Sequence, residues 1–218
     1  MESVIVSWSG GKDSVLALHF LNKDEFNVRT LITTISESYN RVSMHGVRKE
    51  LLEKQAQSIG IPLLTISLPK DITNDEYEKI MKREMLYFKS QSVYKVVFGD
   101  IFLEDIRKYR EANLSKIGMK AIFPLWKRDT KALAEKFIES GFKAIITSVD
   151  SKYLEGSYVG RQFDRDFLNS LPPNVDSCGE NGEFHSFVFN GPDFSYPIHF
   201  QKGNIVFREN RFYYIDLF

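Results

Sequence analysis

The sequence predicts a doubly wound α/β domain with a five-stranded parallel sheet, followed by a small C-terminal α+β lobe. Two observations predict this fold class. Short apolar runs alternate with longer amphipathic stretches through the first two-thirds of the chain. After about Val149 the sequence becomes turn-rich, with closely spaced strand candidates. We place a first domain at residues 1–126 and a smaller lobe at residues 127–218.

Six apolar runs are short enough to be strands. Runs that are apolar throughout, rather than at alternate positions, are typical of strands buried on both faces of a parallel sheet. Ligands of such sheets bind at the carboxyl ends of the strands, so candidate site residues are expected there. The runs are Val4–Val6, Leu31–Ile35, Leu63–Ile66, Val96–Phe98, Ala121–Phe123 and Ala144–Ile146.

Helical periodicity fills the segments between these runs. In Val47–Ile59 the residues at helical spacing are apolar except for Gln55. Thr73 and Glu76 have the spacing of a capping box, which predicts a helix that continues toward Ser90. The other predicted helices are Ser14–Leu21, Ile101–Ile117, Thr130–Ser140 and Arg161–Leu171.

The C-terminal lobe is predicted to contain short strands joined by tight turns. Gly203-Asn204 is the predicted tight turn. The lobe is rich in aromatic residues, a feature that could support a homodimer. Its predicted strands are Phe184–Phe189, Ile198–Gln201, Ile205–Arg208 and Phe212–Leu217.

Composition restricts the classes of protein to which the chain can belong. It has 218 residues with 29 basic and 29 acidic side chains, and this neutral balance argues against a nucleic-acid partner. The single cysteine, Cys178, cannot form an internal disulfide, which favours the reducing cytoplasm. We expect no signal peptide, and no apolar run approaches the roughly 20 residues that span a membrane.

A glycine-rich segment follows the first predicted strand. Its two adjacent glycines let the backbone turn sharply and present N–H groups to an anion, and the helix that follows adds a positive dipole end. Lys12 offers a cation, whereas Asp13 either orients the loop or helps to hold Mg²⁺. The alternative is a glycine-rich turn that binds nothing. The candidate ligand-binding residues are Ser7, Ser9, Gly10, Gly11, Lys12, Asp13 and Ser14.

The hexapeptide Ser9–Ser14 does not have the spacing of a Walker A loop or of a Gly-x-Gly-x-x-Gly loop. It resembles the signature of the N-type PP-loop ATP pyrophosphatases. The resemblance implies an adenine nucleotide alpha hydrolase-like, Rossmann-like fold. It also implies that the loop binds the β,γ-diphosphate of ATP together with Mg²⁺, and that ATP is split between its α- and β-phosphates. The candidate catalytic residues are Lys12, Asp13 and Ser14, and Asp13 is the candidate metal ligand.

Six later segments, taken in their order along the chain, resemble the diphthine–ammonia ligase family and its relatives. This resemblance implies that a substrate carboxylate attacks the α-phosphate of ATP, pyrophosphate leaves, and ammonia displaces AMP. In the family the carboxylate is that of diphthine, a modified histidine of elongation factor 2. The segments are Val42–Val47, Val97–Ile101, Arg107–Glu111, Pro124–Trp126, Cys178–His185 and Gly191-Pro192.

The adenine is expected over the strand ends, at Ser36, Gly99 and Asp100, where Gly99 would let the base approach the backbone. The polar segment Glu180–His185 is predicted to recognise a cationic substrate and to handle ammonium; the alternative is a structured polar turn. His45 precedes a helix and is predicted to contact substrate or phosphate, unless it is only a neighbour of the helix cap. The candidate substrate-binding residues are His45, Tyr109, Arg110, Glu111, Glu180, Asn181, Gly182, Glu183 and His185, of which Tyr109, Arg110 and Glu111 rest on the family pattern alone.

Two other functions remain open at this point. One is a PP-loop enzyme with a different nucleophile, such as a tRNA-modifying ligase or thiolase; the lack of paired cysteines and the neutral charge argue against it. The other is a nucleotide sensor without catalytic activity, against which the intact Lys12-Asp13-Ser14 argues.

Overall fold

The structure is a computed structural model that describes residues 1–42 and 46–218. Its first half contains five parallel strands, which confirms the predicted fold class. A two-residue strand, β3 (Arg41–Val42), pairs antiparallel with the end of the second strand. The parallel strands are β1 (Glu2–Ser7), β2 (Phe26–Ser36), β4 (Leu63–Leu68), β5 (Lys95–Val97) and β6 (Lys120–Ile122), in the spatial order β4-β2-β1-β5-β6.

The strand order reverses between β1 and β5, and a crevice opens at their carboxyl ends. Both faces of the sheet are buried. Val4 and Val6 of β1 belong to a core shared with α1 (Lys12–His19) and α2 (Lys49–Ile59). Ile5 belongs to a second core on the opposite face, shared with α3 (Asn74–Ser90) and α4 (Glu104–Ser115). Burial on both faces explains why these runs are apolar throughout.

The predicted helices are present, with shifted ends. The Thr73 hydroxyl accepts a hydrogen bond from the Glu76 amide, and the Glu76 carboxylate accepts one from the Thr73 amide, so the predicted capping box is confirmed. Helix α4 begins three residues later than predicted, since residues 101–103 form the loop after β5. The last two helices are α5 (Thr130–Glu139) and α6 (Arg165–Ser170), and a 3₁₀ turn spans Gly156–Tyr158.

A second, antiparallel sheet forms the C-terminal half. Its strands are β7 (Lys143–Asp150), β8 (Phe184–Asn190), β9 (Lys202–Arg208) and β10 (Phe212–Leu217), in the order β8-β7-β10-β9. All but the first residue of β7 are buried, which explains why Ala144–Ile146 has the apolar pattern of a parallel strand. The prediction that this run joins a parallel sheet is wrong, because β7 pairs antiparallel with both β8 and β10.

Two predictions near the C-terminus are also wrong. Ile198–Gln201 is not a strand, and Gly203-Asn204 lies inside β9 rather than in a turn. The turn between β9 and β10 is Glu209–Arg211, where Glu209 and Asn210 have positive φ, at 55° and 49°, and the Arg211 amide donates a hydrogen bond of 3.0 Å to the Arg208 carbonyl. Positive φ at both central positions is characteristic of a β-turn of type I′.

Gln55 is the polar residue of the otherwise apolar face of α2, and it is fully buried. Its side-chain oxygen accepts a hydrogen bond of 2.7 Å from the Trp8 indole. Its side-chain nitrogen donates to the carbonyls of Gly10, at 3.1 Å, and Val188, at 2.6 Å. Gln55 therefore joins α2 to the loop after β1 and to the second sheet.

We expect Gln55→Leu to lower the free energy of unfolding by about 2–4 kcal/mol, because it leaves buried polar groups of Trp8 and Val188 without partners. Urea denaturation monitored by circular dichroism measures the change. Gln57→Leu, at an exposed position of the same helix, is the matched control and should change stability by less than about 0.5 kcal/mol. Equal stability of the two variants would contradict this role of Gln55.

Candidate active site

The segment Ser9–Ser14 forms a tight loop between β1 and α1. Gly10 has a φ of +75°, a conformation that glycine adopts without strain, and Gly11 is the N-cap of α1. The Ser9 hydroxyl accepts a hydrogen bond of 3.2 Å from the Gly11 amide, and the Ser14 hydroxyl donates one of 2.9 Å to the Gly11 carbonyl. The loop therefore brings the amino end of a helix to the crevice.

Strand β8 of the second sheet supports this loop from behind. The Val188 amide donates a hydrogen bond of 2.9 Å to the Gly10 carbonyl. The Ser186 hydroxyl accepts one of 3.2 Å from the Lys12 amide. The loop conformation therefore depends on both halves of the chain.

Lys12 is 2% exposed, although its side chain carries a charge. Its ammonium group lies 2.9 Å from Asp13 Oδ2 and donates to the Cys178 carbonyl. Burial lowers the pKa of Lys12, but the attraction of Asp13 and other neighbours outweighs this, and the pKa is raised overall. Lys12 is therefore a fixed positive charge at physiological pH. For the Cys178 thiol, whose charged form is an anion, burial raises the pKa. The raised pKa favours a packing role for Cys178 over a nucleophilic one.

Asp13 presents a carboxylate oxygen that fits a hard cation. Burial raises its pKa, while Lys12 opposes this shift. Asp13 Oδ1 is buried and has no hydrogen-bond partner among the described residues. No group of three or more His, Cys, Asp or Glu side chains that could hold a metal occurs in ranges 1–42 and 46–218. A single carboxylate suits Mg²⁺, which keeps several waters and usually also binds substrate phosphates.

Glu180 reaches the same place from the C-terminal half. One of its oxygens, Oε1, accepts hydrogen bonds from the amides of Ile101, at 2.7 Å, and Phe102, at 3.4 Å. Burial, reinforced by the negative charge of Asp13, raises the pKa of Glu180 to about 7. Glu180 can therefore take up or release a proton near neutral pH.

Lys12, Asp13 and Glu180 line one cavity of about 820 Å³, a volume within the usual range for a small-molecule site. It lies at the carboxyl ends of β1, β2 and β5, as expected for this fold. The predicted site residues that line it are Ser7, Ser9, Lys12, Asp13, Ser14, Gly99, Asp100, Tyr109, Arg110, Glu180, Gly182 and His185.

Asp100 and Arg110 form an ion pair in the cavity wall, with 2.9 Å between Asp100 Oδ2 and Arg110 Nε. The Arg110 guanidinium lies 4.4 Å from the centre of the Phe98 ring, a cation–π contact. Tyr109, on the same helix, is half-exposed. Burial raises its pKa, and interaction with Glu78 adds to the shift.

The other predicted residues that the structure describes lie outside the cavity lining. Gly10 and Gly11 form the buried underside of the loop, and Ser36 lies beyond the lining at the end of β2. Glu111 forms an ion pair of 2.8 Å with Arg107 on α4. Glu183 is buried and accepts hydrogen bonds from the amides of Asp176 and Asn181, an arrangement that matches the structured-turn alternative. His45 lies outside the described residues.

Gly99 packs closely against the loop between β1 and α1. A Cβ at this position would lie 2.8 Å from the carbonyl carbon and oxygen of Asp13. The close approach is therefore that of the Ser9–Ser14 loop, so Gly99 lets the loop and the end of β5 pack together.

Several cavity residues were missed by sequence reasoning. Thr33 and Thr34 of β2 line the cavity two or three residues before Ser36, where the strand end was sought. Tyr77 lines it from α3, and Ser186 from β8. The polar pair His185-Ser186 in an otherwise apolar run was the available signal at Ser186, but helix α3 gave none.

The strand order, crevice and loop define an α/β protein with a glycine-containing loop at the carboxyl edge of a parallel sheet. The family model of the diphthamide synthase N-terminal domain matches residues 2–121, and that of the diphthamide synthase C-terminal domain matches residues 129–217. The chain therefore belongs to the diphthamide synthase family.

Curated relatives of the chain are named diphthine–ammonia ligase. The protein from Danio rerio is 26% identical over 212 residues, which cover 85% of this chain and 81% of the relative. The protein from Mus musculus is 26% identical over 215 residues, with 85% and 78% coverage. The match to the Bos taurus protein, 28% identical over 138 residues, covers 61% of this chain and about half (51%) of that protein.

A crystal structure described as a predicted subunit of tRNA methyltransferase from Methanocaldococcus jannaschii is similar at 20% identity and a TM-score of 0.42. That match covers 71% of this chain and 81% of the other. Among the described helices, none has the length and apolar character needed to cross a membrane.

Glu180 should make stability depend on pH. Because its pKa in the folded protein is raised from 4.5 to about 7, folding binds a proton between these values. Its favourable contribution is complete below about pH 4.5 and is lost as the pH rises through about 7. The stability of the native protein relative to Glu180→Gln should therefore fall by about 1–3 kcal/mol between pH 5 and pH 8.

Urea denaturation of both proteins across this pH range measures the difference. Glu135→Gln, at an exposed position of α5, is the control, and its difference from the native protein should vary by less than about 0.5 kcal/mol. A pH-independent difference for Glu180→Gln would contradict the raised pKa.

Proposed function

We propose that the protein is an ATP-dependent ligase that adenylates a substrate carboxylate, releases pyrophosphate and replaces AMP with ammonia. The observation that carries the proposal is the buried Lys12 ammonium beside Asp13, at the amino end of α1 and in one cavity with Glu180. Family membership and the name diphthine–ammonia ligase of the curated relatives support it.

The loop would bind the β- and γ-phosphates of ATP. The amides of Asp13 and Ser14 lie in the first turn of α1, where no preceding turn supplies a carbonyl. Together with the Lys12 charge they stabilise the negative charge that develops on pyrophosphate as it leaves. Asp13 Oδ1 would hold Mg²⁺, which neutralises phosphate charge when bound.

The adenosine would extend from the loop across the strand ends. Thr33 and Thr34 of β2 are better placed for it than Ser36, because both line the cavity. Ile32 and Met81 supply apolar lining from the sheet and from α3. Gly99 and Asp100 stay in this proposal as cavity-wall residues at the end of β5.

The adenylation step needs little from the protein beyond orientation. The attacking carboxylate is already a nucleophile: one of its oxygens forms a bond to the α-phosphorus while the bond to the pyrophosphate oxygen breaks. Arg110, a cation held in the cavity wall by Asp100, is suited to orient the incoming carboxylate.

The amidation step consumes ammonium, which must lose a proton before its nitrogen can attack the acyl carbon. Glu180, with a pKa of about 7, can attract this cation and then accept its proton. Attack forms the C–N bond and releases AMP. The acceptor carboxylate is proposed to be that of diphthine on elongation factor 2, by analogy with the relatives' name. His185 and Gly182 also line the cavity and are proposed to contact this acceptor.

The proposal predicts pyrophosphate release from Mg-ATP that requires an acceptor carboxylate, and amide formation that requires ammonium. With ¹⁸O in the acceptor carboxylate, one labelled oxygen should appear in AMP, as mass spectrometry can detect. Label-free AMP would mean that water or another nucleophile attacks ATP. Tight binding of tRNA, with turnover only in its presence, would favour the tRNA-modifying alternative.

Lys12→Met should reduce the rate of pyrophosphate release by about 10²–10³-fold, because it removes the fixed positive charge beside the leaving group. Lys136→Met, at an exposed position of α5, is the control and should keep full activity. Binding of Mg-ATP by the native protein without turnover under any acceptor condition would favour a sensor over an enzyme.

A further inference from the structure

Strand β9 forms an uncovered edge of the second sheet. Within the described residues it pairs on one side only, with β10. The opposite edge of this sheet, β8, is covered, because the Val188 amide is bonded to Gly10. An uncovered edge carries a row of backbone N–H and C=O groups that can pair with another strand.

The side chains of this edge are unusual for a strand that faces water. Ile205, Val206 and Phe207 are consecutive apolar residues and are 47%, 38% and 47% exposed. Edge strands that avoid pairing usually carry charges, proline or bulges at their centre, whereas here the charged residues, Lys202 and Arg208, stand at the two ends. The composition therefore favours a partner strand.

We propose that β9 pairs antiparallel with β9 of a second copy of this chain, which joins the two C-terminal sheets into one continuous sheet. The pairing would be isologous, with a two-fold axis perpendicular to the sheet. Such an axis places one residue opposite its own copy, and every other residue opposite a partner on the same face. The centre of β9 allows two such registers, with the axis at Ile205 or at Val206.

The charges of Lys202 and Arg208 favour one of these two registers. An axis at Ile205 places Lys202 opposite Arg208 of the other copy, and directly opposed like charges are unfavourable. An axis at Val206 places Arg208 opposite the neutral Asn204. It also places Ile205 opposite Phe207 twice, so these side chains of both copies form one cluster on one face of the sheet, while Val206 lies opposite its own copy on the other face.

This cluster would extend an aromatic contact that each copy already has. Phe207 lies opposite Tyr213 of β10, with 4.5 Å between the ring centres. Ile205 lies opposite Ile215, which is buried. In the Val206 register, Ile205 of the second copy continues this apolar row across the interface, and aromatic–aliphatic cross-strand pairs of this kind stabilise sheets.

Two double variants test the proposal and its register. Ile205→Glu with Phe207→Glu places like charges opposite each other twice and should give a monomer. Ile205→Lys with Phe207→Glu places opposite charges together twice and should keep the dimer. Sedimentation equilibrium should give twice the 25.3 kDa chain mass for the native protein and the Lys/Glu variant, and a single chain mass for the Glu/Glu variant.

Both variants change the same two exposed positions, and circular dichroism checks that each is folded. Leu86→Glu with Tyr87→Glu, two exposed apolar residues of α3, is the control and should sediment like the native protein. A native protein that is monomeric, or a dimer that survives the Glu/Glu change, would overturn the proposal. Dissociation of the folded Lys/Glu variant would overturn the Val206 register. None of these outcomes depends on the proposed enzymatic activity.

Discussion

The rest of the site depends on the hydrogen bonds that the carbonyl oxygen of Gly10 accepts. This oxygen accepts hydrogen bonds from the Val188 amide and from the Gln55 side chain, at 2.9 and 3.1 Å. These donors lie on β8 and α2, which are far from the loop in sequence and belong to different halves of the chain. Because one continuous apolar core also joins the halves, the loop takes its shape only when both are folded.

The charges around the loop determine which form of ATP would bind under the proposed function. Lys12, Asp13 and Glu180 are clustered in partly or fully buried positions; Lys12 and Asp13 influence each other's pKa, and both influence the pKa of Glu180. One cation and two carboxyl groups do not favour a free triphosphate, which carries several negative charges. Under the proposed function, the nucleotide would therefore arrive as its magnesium complex, with Asp13 Oδ1 as the proposed ligand from the protein.

Local sequence patterns predicted the parallel sheet, the helices and the glycine-rich loop, since strand burial and helix capping leave periodic signals. The same patterns gave wrong predictions where the structure of a segment depends on which strand it pairs with. Ala144–Ile146 has the same apolar pattern whether its sheet is parallel or antiparallel, and Gly203-Asn204 has turn chemistry but lies within a strand.

For the site, nearness in sequence was a poor guide to nearness in space. Glu180 lines the cavity, while Glu183, three residues later, is buried in its own turn. Gln55 did leave a signal, as the lone polar residue of an apolar helix face, but its partners could not be known before the fold.

The most direct test of the site is hydrogen–deuterium exchange with and without a non-hydrolysable ATP analogue and Mg²⁺. We expect slower exchange in peptides that contain Ser9–Ser14 and in those that contain Gly182–Ser186, because the proposed nucleotide site lies where these segments meet. Protection of neither segment, or of the second sheet away from the loop alone, would contradict it.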